Sequence, residues 1–214
     1  SRSVDFNGGA AQEISGTGTF NFSYLNSVNN SAVTVNANIS VSNNINVDSP
    51  STLDCGSSVI TFGSGATITG SAPLTTGTGT LVFSGSGTVN NTTTTFNNVT
   101  IGGGVNLGAG VTINGTLQIN PGGFLSTNFP TYGPSSTLKY NSGTTYGRSL
   151  EWSSTSGAGY PNDVQISNGT TLNLGNTGTT TARQIAGNLT IDAGSSLDMS
   201  VSGSVMERPL SVLG

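Results

Sequence analysis

Apolar residues along this chain come in pairs two positions apart. Val33/Val35, Ile39/Val41 and Ile45/Val47 form one run, and Val105/Leu107, Val111/Ile113 and Leu117/Ile119 form another. A period of two marks a strand with one buried side. Successive pairs start six residues apart, so each strand is very short. Asn, Gly, Ser and Asp fill the intervals, and these residues accept left-handed backbone and tight corners. No long helical period is present. A β-sandwich would need strands of about 5–6 residues with turns every 8–12 or so. The shorter rhythm predicts an all-β fold, a parallel β-solenoid (β-helix) in which each coil hydrogen-bonds to the next. A coil of roughly 18 to 24 residues gives nine to twelve coils, on the order of 45 to 55 Å at about 4.8 Å per coil.

A longer period, an internal repeat of about 72 residues, overlies this one. Ile45, Leu117 and Leu189 share that offset, as do Val47, Ile119 and Ile191, and Leu53, Leu125 and Leu197. The turn residues Asp48, Asn120 and Asp192 keep it too. The solenoid therefore reads as one elongated domain over 1–214, with repeat registers near 27–98, 99–170 and an incomplete 171–214. The third copy carries an indel: DVQI (163–166) matches NVTI (98–101), and LNLG (172–175) matches VNLG (105–108). Extra residues within GNTGTTTA (175–182) then restore the register. Insertions of this kind belong at the corners of a repeat. The chain opens without Met and stops within a repeat at Gly214, which reads as a fragment of a longer protein.

Composition supports an ordered chain with a bland surface. Only 7% of residues are charged, against about 25% in an ordinary domain, and there are 32 Gly and no His. A disordered chain would lack the aliphatic patterning. A net charge of −4 leaves no cationic stripe for nucleic acid, since the five basic residues are scattered. The same scarcity opposes membrane-surface binding, and no apolar run is long enough for insertion. The single Cys55 forms no intrachain disulfide, and without His beside it reads as a buried filler rather than a reactive thiol.

The phrases GTLVFSGSG (79–87), NNVTIGGGVNLGAGVTINGTLQI (97–119) and RQIAGNLTIDAGSSLDM (183–199) resemble the repeat regions of very large secreted and cell-surface proteins of Bacteroidota, substrates of type IX secretion. The resemblance covers about residues 60–214 and implies export by the secretion machinery, an extracellular or cell-surface location, and adhesion. It supplies no catalytic motif. The sorting domain that typically ends such proteins is absent from this sequence.

Candidate chemistry is sparse. The acids recur at corners (Asp48 and Asp192, Asp54 and Asp198), where turn capping explains them and no calcium pattern emerges. No cofactor is expected, no catalytic residue is assigned, and the chain reads as a non-enzyme. The one local departure is GRSLEWSSTSGAGYPNDV (147–164), with Arg148, Glu151, Trp152 and Tyr160. Aromatic platforms stack on sugars, so these four are the candidate carbohydrate contact. The alternative is that Trp152 packs a long loop onto the rod. Thr-rich phrases suggest an ice-binding array, but the Thr pairs keep no fixed offset. The leading expectation is a structural or adhesive segment. The alternatives are a carbohydrate-binding or carbohydrate-cleaving β-helix, with a surface glycan as partner, and an extracellular filament built by end-to-end self-association.

Overall fold

The computed structural model describes residues 3–90, 94–174 and 183–199, and the backbone of the strand Leu210–Val212. All regular structure among the described residues is β, and no helix long and apolar enough to cross a membrane occurs there. Every strand pairing among them is parallel. The fold is a parallel β-solenoid with three faces per coil. The predicted six-residue rhythm is the chain turning from one face to the next. Val33/Val35 lie on the third face, Ile39/Val41 on the first and Ile45/Val47 on the second.

The strand Ile39–Val47 shows this directly. Its first half pairs with Val59–Phe62 and its second half with Ala66–Thr69, so one strand serves two faces. From there the first face continues through Thr80–Phe83, Asn98–Ile101, Thr116–Ile119, Thr137–Tyr140, Asp163–Ile166 and Leu189–Ile191. The second face runs from Ala66–Thr69 through Gly87–Val89 and Gly104–Asn106 to Phe124–Leu125. The third runs from Ala11–Ser15 to Thr131–Tyr132.

Parallel stacking puts like positions on top of one another. Ile39, Ile60, Leu81, Val99, Leu117, Leu138 and Val164 form one inward file, each at most 1% exposed. Val41, Phe62, Phe83, Ile101, Ile119, Tyr140 and Ile166 form the next. Phe62 and Phe83 meet as a stacked pair, with centroids 4.7 Å apart and planes 12° apart, because adjacent coils supply the same residue at the ladder spacing. Gly87 follows from that stack: a Cβ there would strike the Phe83 ring, so this inward position carries no side chain.

The structural repeat is the coil, and its length varies. Along the first-face file, the coils from Leu81 to Val99 and from Val99 to Leu117 are the shortest. The coils from Leu138 to Val164 and from Val164 to Leu189 are the longest. This corrects the long repeat as read for its first copy. Leu117 and Leu189 do share a file, three coils apart. Ile45, however, lies on the second face and Leu117 on the first. Leu53 and Leu125 likewise lie on the third and second faces. The boundaries 27–98 and 99–170 therefore do not coincide with whole coils. The local matches fare better: Asn98–Ile101 and Asp163–Ile166 are both first-face strands, and Val105 and Leu172 both lie on second-face strands. The GNTGTTTA insertion lies outside the described residues.

Two of the three ladders stop at one place. On the second face, Phe124–Leu125 is an end of its sheet, and Thr145–Gly147 begins a separate sheet with Thr171–Asn173 and Ser196–Asp198. On the third face, Thr131–Tyr132 is the last strand of its sheet, and Arg183–Ile185 pairs only with Leu210–Val212. The first-face ladder alone crosses the junction without a break.

Candidate functional site

The departure at this junction begins with chain length. The coil from Leu138 to Val164 is longer than the coil before it, from Leu117 to Leu138. No strand of the third face forms between Tyr132 and Arg183 among the described residues. Instead the segment 148–162 turns back on itself, held by Ser153 and Ser154 N–H groups to the Gly159 carbonyl and by Gly159 N–H to the Pro130 carbonyl at 2.7 Å.

This segment sends three of the four predicted residues inward. Trp152 is 0% exposed and stands within the core. Its indole Nε1 donates to the Gln184 carbonyl at 3.0 Å, which ties the loop to the third-face strand of the next coil. Arg148 is buried too, its Nη1 donating to the carbonyls of Trp152 (2.6 Å) and Ser149 (2.9 Å). Glu151 is fully buried. Its Oε1 accepts from Ser149 N–H at 2.8 Å and from Tyr140 OH at 3.3 Å, and its carbonyl accepts from Tyr132 OH at 2.7 Å. Tyr146 leans on Tyr140, with rings 5.4 Å apart at 46°. Its hydroxyl neighbours the Glu151 carboxyl but makes no hydrogen bond of good geometry.

Burial dominates the electrostatics. It pushes the Glu151 carboxyl above its ordinary value, outweighing the Ser149 and Glu151 backbone donors, the Arg148 charge and the Tyr140 hydroxyl, which all pull it down. Its Oε2 is buried without a donor. Tyr132, Tyr140 and Tyr146 are also held neutral, first by burial and then by the neighbouring Glu151. Chemically, this is a sealed polar knot with one carboxyl in it.

The predicted sugar platform is therefore not a platform. Trp152, Arg148 and Glu151 come together, but Trp152 turns no ring face to solvent, so packing is the role the structure displays. Tyr160 lies half-buried in the turn it shares with Gly157, and among the described residues no hydrogen bond or ring contact joins its side chain to the other three.

The other sequence candidates resolve simply. Asp54 Oδ1 caps its own turn, accepting from Gly56 N–H at 3.0 Å, and Asn106 does the same for Gly108 at 3.0 Å. Cys55 is fully buried, with its thiol pushed up by burial and then by Asp54. No group of three or more metal-ligating side chains occurs among the described residues. The threonines do form an array. Thr75, Thr95, Thr112 and Thr131 stack in one outward file of the third face, which unequal coil lengths hid from any fixed-offset test. Two positions on in the chain stand Gly77, Asn97, Asn114 and Gly133, so no second threonine file runs beside it.

One feature carried no sequence signal. Between Phe124–Leu125 and Thr145–Gly147, where the second ladder stops, lies a cleft of about 430 Å³ bordered by Phe124, Tyr146, Arg148 and Ser149. A second groove of about 330 Å³, lined by polar residues, follows the outer side of the first face, over Thr100, Gln118 and Lys139.

Comparison with protein families, with curated proteins and with solved structures finds no match for this chain.

Proposed function

We propose that this chain is a structural and adhesive segment of a secreted or surface-displayed repeat protein, of the kind that type IX secretion exports in Bacteroidota. The observation that carries the reading is the division of labour within the coil. Inward files are almost wholly aliphatic and aromatic, and stability comes from stacked neighbours and parallel ladders. Outward files are Thr, Asn, Ser and Gln, with few charges and, among the described residues, no gathered acids. Such a scaffold gives reach and stiffness while its outer residues stay free to vary.

Antibodies raised against the folded chain test the proposal on intact cells of the source organism. Labelling of unpermeabilised cells, or recovery of the antigen from the medium, is the expected result. Antigen reached only after lysis would reject it.

A further inference from the structure

The geometry points to the cleft between Phe124–Leu125 and Thr145–Gly147 as a binding site for a neutral saccharide ring.

The cleft is built by the two strands it separates. They meet at both ends. On one side Asn141 N–H donates to the Ile119 carbonyl at 2.8 Å, and Asn141 Nδ2 donates to Asn120 Oδ1 at 3.0 Å. On the other, Ser149 Oγ donates to the Leu125 carbonyl at 3.1 Å. Between these pins no ladder hydrogen bond joins the strands. The opening is thus a lens closed at its tips. A polymer strand running between the coils would have to break a pin, whereas a compact ligand need not.

The walls suit a ligand with one apolar side. Phe124 is 44% exposed and borders the cleft. The tip of its ring rests over Gly104 of the coil before, a position where a Cβ would meet it. Across the cleft, Tyr146 is fixed against Tyr140. The rim is polar. Thr171 N–H donates to the Thr144 carbonyl and Arg148 N–H to the Asn173 carbonyl, while Tyr146 stands opposite Leu172. The alternation of a parallel ladder then turns the N–H and C=O of Thr145 and Gly147 toward the cleft. The side chains of Thr144 and Thr145 are exposed at its mouth. Among the described residues no carboxylate borders the cleft. Two aromatic rings with a rim of hydroxyl and main-chain groups match a pyranose, which has an apolar face and a ring of hydroxyls.

This site adds a ligand to the adhesive part of the proposed function and can fail without it, since surface display does not depend on Phe124. The test is saturation-transfer NMR of the whole chain against a panel of free neutral mono- and disaccharides, repeated with Phe124→Ala. The expected result is transfer to at least one sugar, weakened about tenfold by Phe124→Ala, with circular dichroism unchanged in the variant. Three outcomes would overturn the inference. They are no transfer to any sugar, equal binding by Phe124→Ala, and binding of an extended peptide (Ser-Thr-Val-Thr-Ser) that protects the Thr145 and Gly147 amides from exchange, which would establish strand addition instead.

Discussion

Glu151→Gln should make this protein more stable at neutral pH, and the gain should vanish in acid. The carboxyl is fully buried, and burial holds its pKa above the ordinary 4.5. The native state therefore keeps its proton at pH values where the unfolded chain has lost it. As pH rises past 4.5, the native state binds more protons than the unfolded state, so stability falls with pH until the buried group itself ionises. Glutamine keeps the Oε1 that accepts from Ser149 N–H and Tyr140 OH. It also puts an N–H₂ in place of the unpartnered Oε2, beside the unpartnered hydroxyl oxygen of Tyr146. Each pH unit above 4.5 at which the native state alone keeps the proton costs the wild type about 1.4 kcal/mol, which sets the size of the gain. In a chain this long, each kcal/mol moves the melting temperature by about 2–4 °C. Urea denaturation followed by circular dichroism from pH 4 to pH 9 measures the difference. All other titrating groups are common to both proteins and cancel. The two curves should meet near pH 4 and separate above it, with the variant higher. A wild type that gained on the variant as pH rose would refute the reasoning, because it would mean that Arg148 holds Glu151 as a stable ion.

Further outcomes follow from the core. Trp152 is the chain's one tryptophan and is 0% exposed, so its emission should be blue-shifted and resist acrylamide quenching until the chain unfolds. Trp152→Ala should cost about 3–5 kcal/mol in denaturant titrations, the cost of a large core truncation. Leu117→Ala, in the middle of a continuous file, should cost about 2–5 kcal/mol by the same measurement. Gly87→Val should lower the melting temperature by driving a side chain into the Phe83 ring, and Phe83→Leu should recover part of the loss. Cys55 should resist alkylation in the native state and react once denaturant is added, as mass spectrometry would register.

The fold was legible because a solenoid writes its geometry into short-range pattern. The pairs Val33/Val35, Ile39/Val41 and Ile45/Val47 are three faces in order, and any reader of the period-two rhythm finds them. The long period misled for a physical reason. Corners tolerate insertion, so the coil from Leu81 to Val99 is shorter than the coil from Leu138 to Val164, and one fixed offset cannot stay on one face. Phrase matching survived because a strand such as Asn98–Ile101 keeps its shape wherever its coil falls. The same variation concealed the threonine file. At the candidate site, the sequence flagged the right stretch but not its direction. An Arg, a Glu and a Trp in a loop look like surface chemistry, and only the missing third-face strand explains why they turn inward to fill the space it leaves. The cleft was invisible because it arises from strands that fail to pair, and Phe124 and Tyr146 are ordinary residues until that gap brings both to its border.

The interrupted ladders also give the rod a mechanical character. Over most of its length a pull or a bend is shared by three parallel seams of hydrogen bonds. At the junction after Thr131–Tyr132 the main-chain load falls on one strand seam, Thr116–Ile119 against Thr137–Tyr140, and on the lone bond from Gly159 to Pro130, with the inward knot of Trp152 and the tyrosines as its backing. A tether of this design gives way first at that joint. Each flanking stack keeps its own ladders when it does, so the piece behaves as two stiff segments in series with a single weak link between them.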